Sequence, residues 1–239
     1  MISVCLASYN GEKYIAPQLR SILSQLPPDA ELIVSDDASS DATRSIVSSF
    51  ADVRLRLVDG PCRGVVANFE HAISLSRGDV IFLADQDDLW LPEKVTAVLS
   101  FLEAHPSCQL VLHDAVLADA SLNTLAPSFF AYRRVKKGLW QNLLRNSYTG
   151  CCMAFRAGLK STALPFPKDI EMHDWWLGLV AEQQGVSAFL PQPLILYRRH
   201  EGTATTLKHY PINVMLSNRI VLLNALLKQF LLKSTGEKS

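Results

Sequence analysis

The chain has 239 residues, 49% hydrophobic and 19% charged, a balance that excludes wholesale disorder and supplies ample material for a core. Its 23 Lys and Arg offset its 23 Asp and Glu, so no global field draws it to nucleic acid or another polyanion. Five scattered cysteines without CxxC spacing (Cys5, Cys62, Cys108, Cys151, Cys152) suggest neither a disulfide framework nor a zinc cluster. Together with the lack of a signal-peptide pattern or of an uninterrupted apolar run of about 18 residues, they point to the reduced cytoplasm.

In chain order, residues 2–7 read as a buried strand, 14–26 as a helix and 31–34 as a second strand. The rhythm continues with a helix at 41–50, a strand at 54–58, a helix at 65–76 and a strand at 80–84. Such alternation, with continuous apolar strands, predicts a mainly parallel sheet covered by helices on both faces, an α/β Rossmann-like fold. Pro92 opens a helix to residue 104, Pro106 ends it, and residues 109–116 form another strand. From 121 to 145 the rhythm lapses: Arg133, Arg134, Lys136 and Lys137 stand beside Phe129, Phe130, Tyr132 and Trp140, as either a mobile substrate-facing segment or a solvated linker. Strands at 151–155 and 193–197 flank a helix at 174–184, and a last helix covers 212–232. Lys208, Arg219, Lys228, Lys233 and Lys238 against Glu237 give that helix a basic rim, suited to an anionic membrane surface, to packing on the domain or to a homodimer.

In a parallel sheet, ligands bind beyond the carboxyl ends of the strands. Those positions hold Ser8, Tyr9, Asn10 and Gly11 after the first strand, Asp36 and Asp37 after the second, and Asp85, Gln86, Asp87 and Asp88 after the fourth. Each has a structural excuse, since Asn10-Gly11 is a turn signal and Ser39 or Ser40 a helix cap, but their convergence does not. Carboxylates gathered at one sheet edge repel unless a cation sits among them; hard oxygen ligands favour Mg²⁺ or Mn²⁺, which bind diphosphates. No GxxxxGK[ST] and no GxGxxG occurs, which argues against a P-loop NTPase and a dinucleotide dehydrogenase. An aspartyl phosphatase would want its Asp pair where Ser8-Tyr9-Asn10 stands.

The runs CLASYNGEKYI, VSDDASSDAT, GDVIFLADQDDLWLPEK and MHDWW, in that order over residues 1 to about 205, resemble the inverting family 2 glycosyltransferases of GT-A fold, and among them the rhamnosyltransferase-like enzymes of bacterial surface-polysaccharide synthesis. The resemblance implies that Ala7, Ser8, Tyr9 and Asn10 line the nucleotide pocket with Glu12 near the base, that Asp37 bonds the base edge, and that Asp36 supports the loop. Asp85 and Asp87 match the family's DxD motif, Asp85 with Gln86 facing the donor and Asp87 holding the divalent metal; Asp88 is a neighbouring candidate for that role. Asn68 matches a position near the donor, although Ala67 stands where the family usually has Arg. His200 in YRRHEGT matches a His near the metal, without the family's following Asn.

Asp174 matches the acid that deprotonates the acceptor hydroxyl, a role consistent with inversion; as a helix N-cap it would have a structural reading instead. Gly150 matches a small-residue position near the acceptor, His173 is a further acceptor-side candidate, and Trp175 and Trp176 are candidate platforms for sugar rings. The implied protein is a GT-A domain over residues 1–205, split into a nucleotide-sugar half (1–118) and an acceptor half (119–205), with a helical extension at 206–239. Its activity would be metal-dependent transfer of L-rhamnose from dTDP-rhamnose, or of another sugar from a UDP donor, to a lipid-linked or polysaccharide acceptor. The location would be cytoplasmic or peripheral at the inner face of the membrane. The rivals are a sugar-phosphate nucleotidyltransferase, whose Gly-rich basic loop after the first strand is missing, and a non-catalytic nucleotide-sugar-binding or scaffold protein of the same fold.

Overall fold

A computed structural model describes residues 1–200 and 211–236. The elements β1 (Ile2–Ser8), α1 (Ile15–Leu23), β2 (Glu31–Asp36), α2 (Thr43–Ser48), β3 (Leu55–Asp59), α3 (Val65–Leu75) and β4 (Val80–Asp85) follow the expected alternation. Val4, Cys5, Leu6, Leu32, Ile33, Val34, Ile81, Phe82 and Leu83 are fully buried, as strands covered on both faces require. β3, β2, β1 and β4 lie side by side and parallel, so Ser8, Asp36 and Asp85 emerge at one edge: Ser8 pairs in register with Asp36, and Ala7 with Asp85.

The rest comprises β5 (Leu89–Trp90), α4 (Lys94–Ala104), β6 (Leu110–Ala118), β7 (Thr124–Ala126), α5 (Phe129–Arg133), α6 (Leu139–Leu144), a 3₁₀ turn (Gly150–Cys152), β8 (Met153–Arg156), α7 (Ala157–Ala163), α8 (His173–Gln183), β9 (Ser187–Arg198) and α9 (Ile212–Gly236). The sheet continues as β4-β8-β6-β9-β5, with β7 on the far end of β6. Here the mainly parallel expectation gives way to a mixed sheet, because β8 runs antiparallel to both β4 and β6, while β9 runs parallel to β6. β9 starts six residues before the expected strand; its register with β6 shifts twice on either side of Asp114, where Pro191 and Pro193 interrupt the ladder.

Residues 121–145 form β7, α5 and α6 and are pinned to the sheet. Ser128 caps α5, accepting from the Ala131 N–H and donating to Asp114, and the Gly138 N–H donates to Glu182 Oε1 at 2.9 Å. Phe129 is buried, whereas Tyr132 and Trp140 are exposed. α9 lies against the domain through Leu222 and Leu226, and no helix of the described residues is long and apolar enough to cross a membrane. The proposed boundary at 205, Lys208, Glu237 and Lys238 lie outside the described residues.

A crevice at the carboxyl edge of the sheet

The crevice is a cavity of about 590 Å³ lined by residues from both halves of the chain. Ala7, Ser8, Tyr9, Asp37, Asn68, Asp85, Gln86, Asp87, Gly150, His173 and Asp174 all face it, so most of the sequence-derived site converges there. Ala38, Cys62, Gly64, Val65, Thr149, Met172 and Tyr197 also line it and were missed. The loop GPCRG ahead of α3 carried a signal in its paired glycines; Thr149 and Tyr197 carried none, because only the return of β8 and β9 brings them there.

On the donor side, Asp36 is buried and spends its carboxylate on Ser8 Oγ, the Ser39 N–H and hydroxyl, and Arg44, which fixes the loop after β2. Asp37 accepts from the Gly64 N–H at 2.8 Å through Oδ2, while its buried Oδ1 has no partner in the protein. An acceptor left open in a cavity wall suits a donor on a nucleobase edge. Asn68 bridges β1 and β2 by donating to the carbonyls of Ser8 and Ser35, and its Oδ1 is likewise unpartnered. A Cβ on Gly60 would stand 2.6 Å from that oxygen, so the turn after β3 requires glycine. Gln86 clamps the Tyr9 backbone, accepting from its N–H and donating to its carbonyl, each at 2.9 Å.

Besides Asp36, two expected donor-side residues do not reach the cavity. Glu12 accepts from the Ala42 N–H at the start of α2, and the Asn10 Oδ1 accepts from the Ser40 N–H. Both tie the loop after β1 to the loop after β2, which consumes the polar atoms that were expected to meet the nucleotide.

The acidic motif divides by depth. Asp87 reaches the cavity with its carboxylate 2.9 Å from His200 Nε2. Arg198 holds this corner from behind: its Nε donates to the Asp87 carbonyl, and its guanidinium lies 4.7 Å over the Tyr14 ring, which also contacts the His200 ring. Asp85 also lines the cavity; burial, then the neighbouring Asp87 and Asp174 carboxylates, push its pKa up to about 7. Asp88 is fully buried beneath the cavity, Oδ1 accepting the Arg198 N–H at 2.9 Å and Oδ2 unpartnered.

A carboxylate oxygen and an imidazole nitrogen beside a crowded Asp85 are ligand chemistry that fits Mg²⁺ or Mn²⁺ at Asp87 and His200. Asp85, Asp88 and Cys151 form a second group, with ligand atoms within 4.8 Å of one another. That group fits a hard cation less well. Burial keeps the Cys151 thiol protonated, and the buried ammonium of Lys94 already supplies positive charge beside it.

On the opposite wall, α8 begins at His173, and Asp174 stands in its first turn rather than at its cap, which is Met172. The Asp174 carboxylate is buried; Oδ2 accepts the Gly150 N–H at 3.1 Å, and Oδ1 accepts the Trp175 N–H and Asn146 Nδ2. Burial outweighs these bonds and pushes its pKa up to about 6. The His173 ring stacks on Phe69 with centroids 3.9 Å apart, and burial pushes its pKa down to about 3, so it is neutral. A Cβ on Gly150 would stand 2.8 Å from His173 Nε2, which explains the glycine. Trp175 and Trp176 do not face the cavity: their indole N–H groups donate to the carbonyls of Asn142 and Ala163, and both rings are core. The expected sugar platforms are therefore the packing that seats α8.

The sequence model of glycosyl transferase family 2 matches residues 3–162. The WfgD protein of Escherichia coli, a UDP-Glc:α-D-GlcNAc-diphosphoundecaprenol β-1,3-glucosyltransferase, is 27% identical over 79% of this chain and 72% of its own. The dTDP-rhamnosyl transferase RfbG of Shigella flexneri is 27% identical over 82% of this chain and 72% of its own. Among solved structures, S. aureus TarS 1-349 in complex with UDP-GlcNAc superposes with a TM-score of 0.73 at 19% identity, covering 92% of this chain and 65% of TarS 1-349. The chain spans 59% of the length of an uncharacterized Mycobacterium tuberculosis relative that is 29% identical over 83% of this chain.

Proposed function

The chain belongs to glycosyl transferase family 2, and from that premise we propose that it transfers a sugar from a nucleotide-sugar donor to a saccharide hydroxyl with inversion. The observation that carries the reading is Asp174: a buried carboxylate on the wall facing the acidic motif, with a pKa raised to about 6. At neutral pH it is mostly ionised yet a stronger base than an ordinary aspartate, as a general base requires. It would take the acceptor proton as the hydroxyl oxygen bonds to the anomeric carbon and the carbon–oxygen bond to the nucleoside diphosphate breaks on the opposite face. Asp37 Oδ1 would accept from the base, Asn68 and Gln86 would hold the loops around the nucleotide, and Asp85 would face the sugar.

Asp87 and His200 would hold the divalent cation, which when bound neutralises charge on the leaving diphosphate. The resemblance to the rhamnosyltransferase-like enzymes favours L-rhamnose carried by dTDP, and RfbG supports that donor; WfgD and TarS support a UDP-sugar as the second reading. WfgD also supports a lipid-linked saccharide acceptor, and hence action at the inner face of the membrane in cell-surface polysaccharide synthesis.

Thermal-shift titration with dTDP, dTDP-rhamnose, UDP-glucose and UDP-GlcNAc, with Mn²⁺ or Mg²⁺ and with excess EDTA, tests donor and metal together. A metal-dependent shift largest for dTDP-rhamnose supports the first reading; a larger UDP-sugar shift replaces the donor. No shift with any compound leaves a non-catalytic scaffold of the same fold, and shifts unaffected by EDTA remove the metal from the reading.

A further inference from the structure

Lys94 opens α4 with its side chain fully buried. A cation there is doubly unfavourable, taken from water and set at the positive end of a helix. Burial is the largest effect on it and pushes its pKa down to about 8, with Asp85 and Asp88 among the charges opposing that shift. Its ammonium lies 4.0 Å over the Trp90 ring and donates to the Cys151 carbonyl at 2.8 Å. Cys151 is the middle residue of the 3₁₀ turn, and the first residue, Gly150, gives its N–H to Asp174 Oδ2. The turn is held by Lys94, and the His173 ring lies close enough to Gly150 to leave no room for a Cβ there.

We propose that Lys94 is a positioning residue for the base: its hydrogen bond to the Cys151 carbonyl sets the turn so that the Gly150 N–H meets Asp174. This rests on Asp174 acting as the base. The bond from Gly150 lowers the Asp174 pKa, while Asp85 on β4 and Glu171 ahead of α8 are the charged groups that face Asp174, and His173 beside it is neutral. Loss of the Gly150 bond therefore leaves Asp174 more easily protonated and less well aimed.

The test is steady-state kinetics over pH 5 to 9 on Lys94→Met, Lys94→Gln and Asp174→Asn, with donor affinity measured separately. Lys94→Met is expected to lower kcat at least tenfold at pH 7, change donor affinity less than threefold, and move the acidic limb of kcat to higher pH. Lys94→Gln keeps an N–H donor and is expected to recover most of kcat and the original limb. An unshifted limb in Lys94→Met, or a loss appearing wholly as donor affinity, overturns the proposal. If Lys94→Met does not fold, Lys94→Gln decides alone: wild-type kcat and limb support the hydrogen bond, and their loss overturns it. Asp174→Asn separates the two readings, because transfer surviving in that variant removes the base itself whatever Lys94 does.

Discussion

Asp174 carries the sharpest expectations at the scale of single residues. Asp174→Asn keeps the shape and the bond from Gly150 but cannot take a proton, so transfer is expected to fall about 10²- to 10⁴-fold with donor binding intact. In the wild type, kcat should fall as pH drops through about 6, where Asp174 protonates. Stability carries the opposite sign. Between the ordinary carboxyl pKa of 3.8 and about 6 the native state keeps a proton that the unfolded chain has released, so stability falls as pH rises through that window. The shift corresponds to at most about 3 kcal/mol. Chemical denaturation at pH 4 and pH 7 should show Asp174→Asn gaining on the wild type at the higher pH, and equal differences at both would contradict the buried, raised carboxyl.

Asp37, Asp85 and Asp87 were placed in the cavity by their motifs because sheet register delivers strand ends to one edge whatever the side chains do. Glu12, Trp175 and Trp176 were misread for the converse reason. A motif identifies which residues matter, but not whether a polar atom is spent on a neighbouring backbone N–H, as in Glu12, or an aromatic face on the core, as in the tryptophans.

Among the elements, α8 shows how much structure stands behind one carboxylate. Its helix is buried along His173 to Ala181, with Trp176 against α7 and Gly178 against the Tyr148 ring. A Cβ on Gly178 would lie 2.2 Å from that ring. Gly178→Ala is expected to cost about 1–3 kcal/mol, a drop in melting temperature of several degrees, and the displaced helix should lower transfer more than donor affinity. A variant with wild-type melting temperature would show that Tyr148 moves aside freely.

The first seven elements were legible because strand and helix periods alternate there without interruption. α5, α6 and α7 are five to seven residues long, no longer than α2 or barely so, but lie outside the strand–helix alternation that made α2 legible, and β8 is four residues whose antiparallel direction no local pattern encodes. β9 was half legible: its prolines break the strand pattern where the ladder with β6 shifts register.

For the whole molecule, the open question is what meets α9. Leu222 and Leu226 face the domain, while Leu216, Ile220 and Leu227 are each more than half exposed on the same helix. Arg219 donates to the Leu144 carbonyl on α6, which brings exposed Trp140 and Leu144 to the same side of the molecule. Arg134, Lys136, Lys137 and Arg145 are also exposed on this segment. Apolar side chains beside a tryptophan and several cations match the boundary of an anionic bilayer, and a lipid-linked acceptor would be presented there. The protein is expected to float with vesicles containing phosphatidylglycerol and not with phosphatidylcholine alone. Leu216→Ser with Ile220→Ser should abolish flotation while transfer to a soluble acceptor analogue persists, since neither residue lines the cavity. High salt should weaken the wild-type interaction, because the cations lie on the surface where screening is effective. If flotation fails with both lipids and light scattering gives twice the monomer mass, lost in the same double variant, the exposed face of α9 joins two copies of this chain instead.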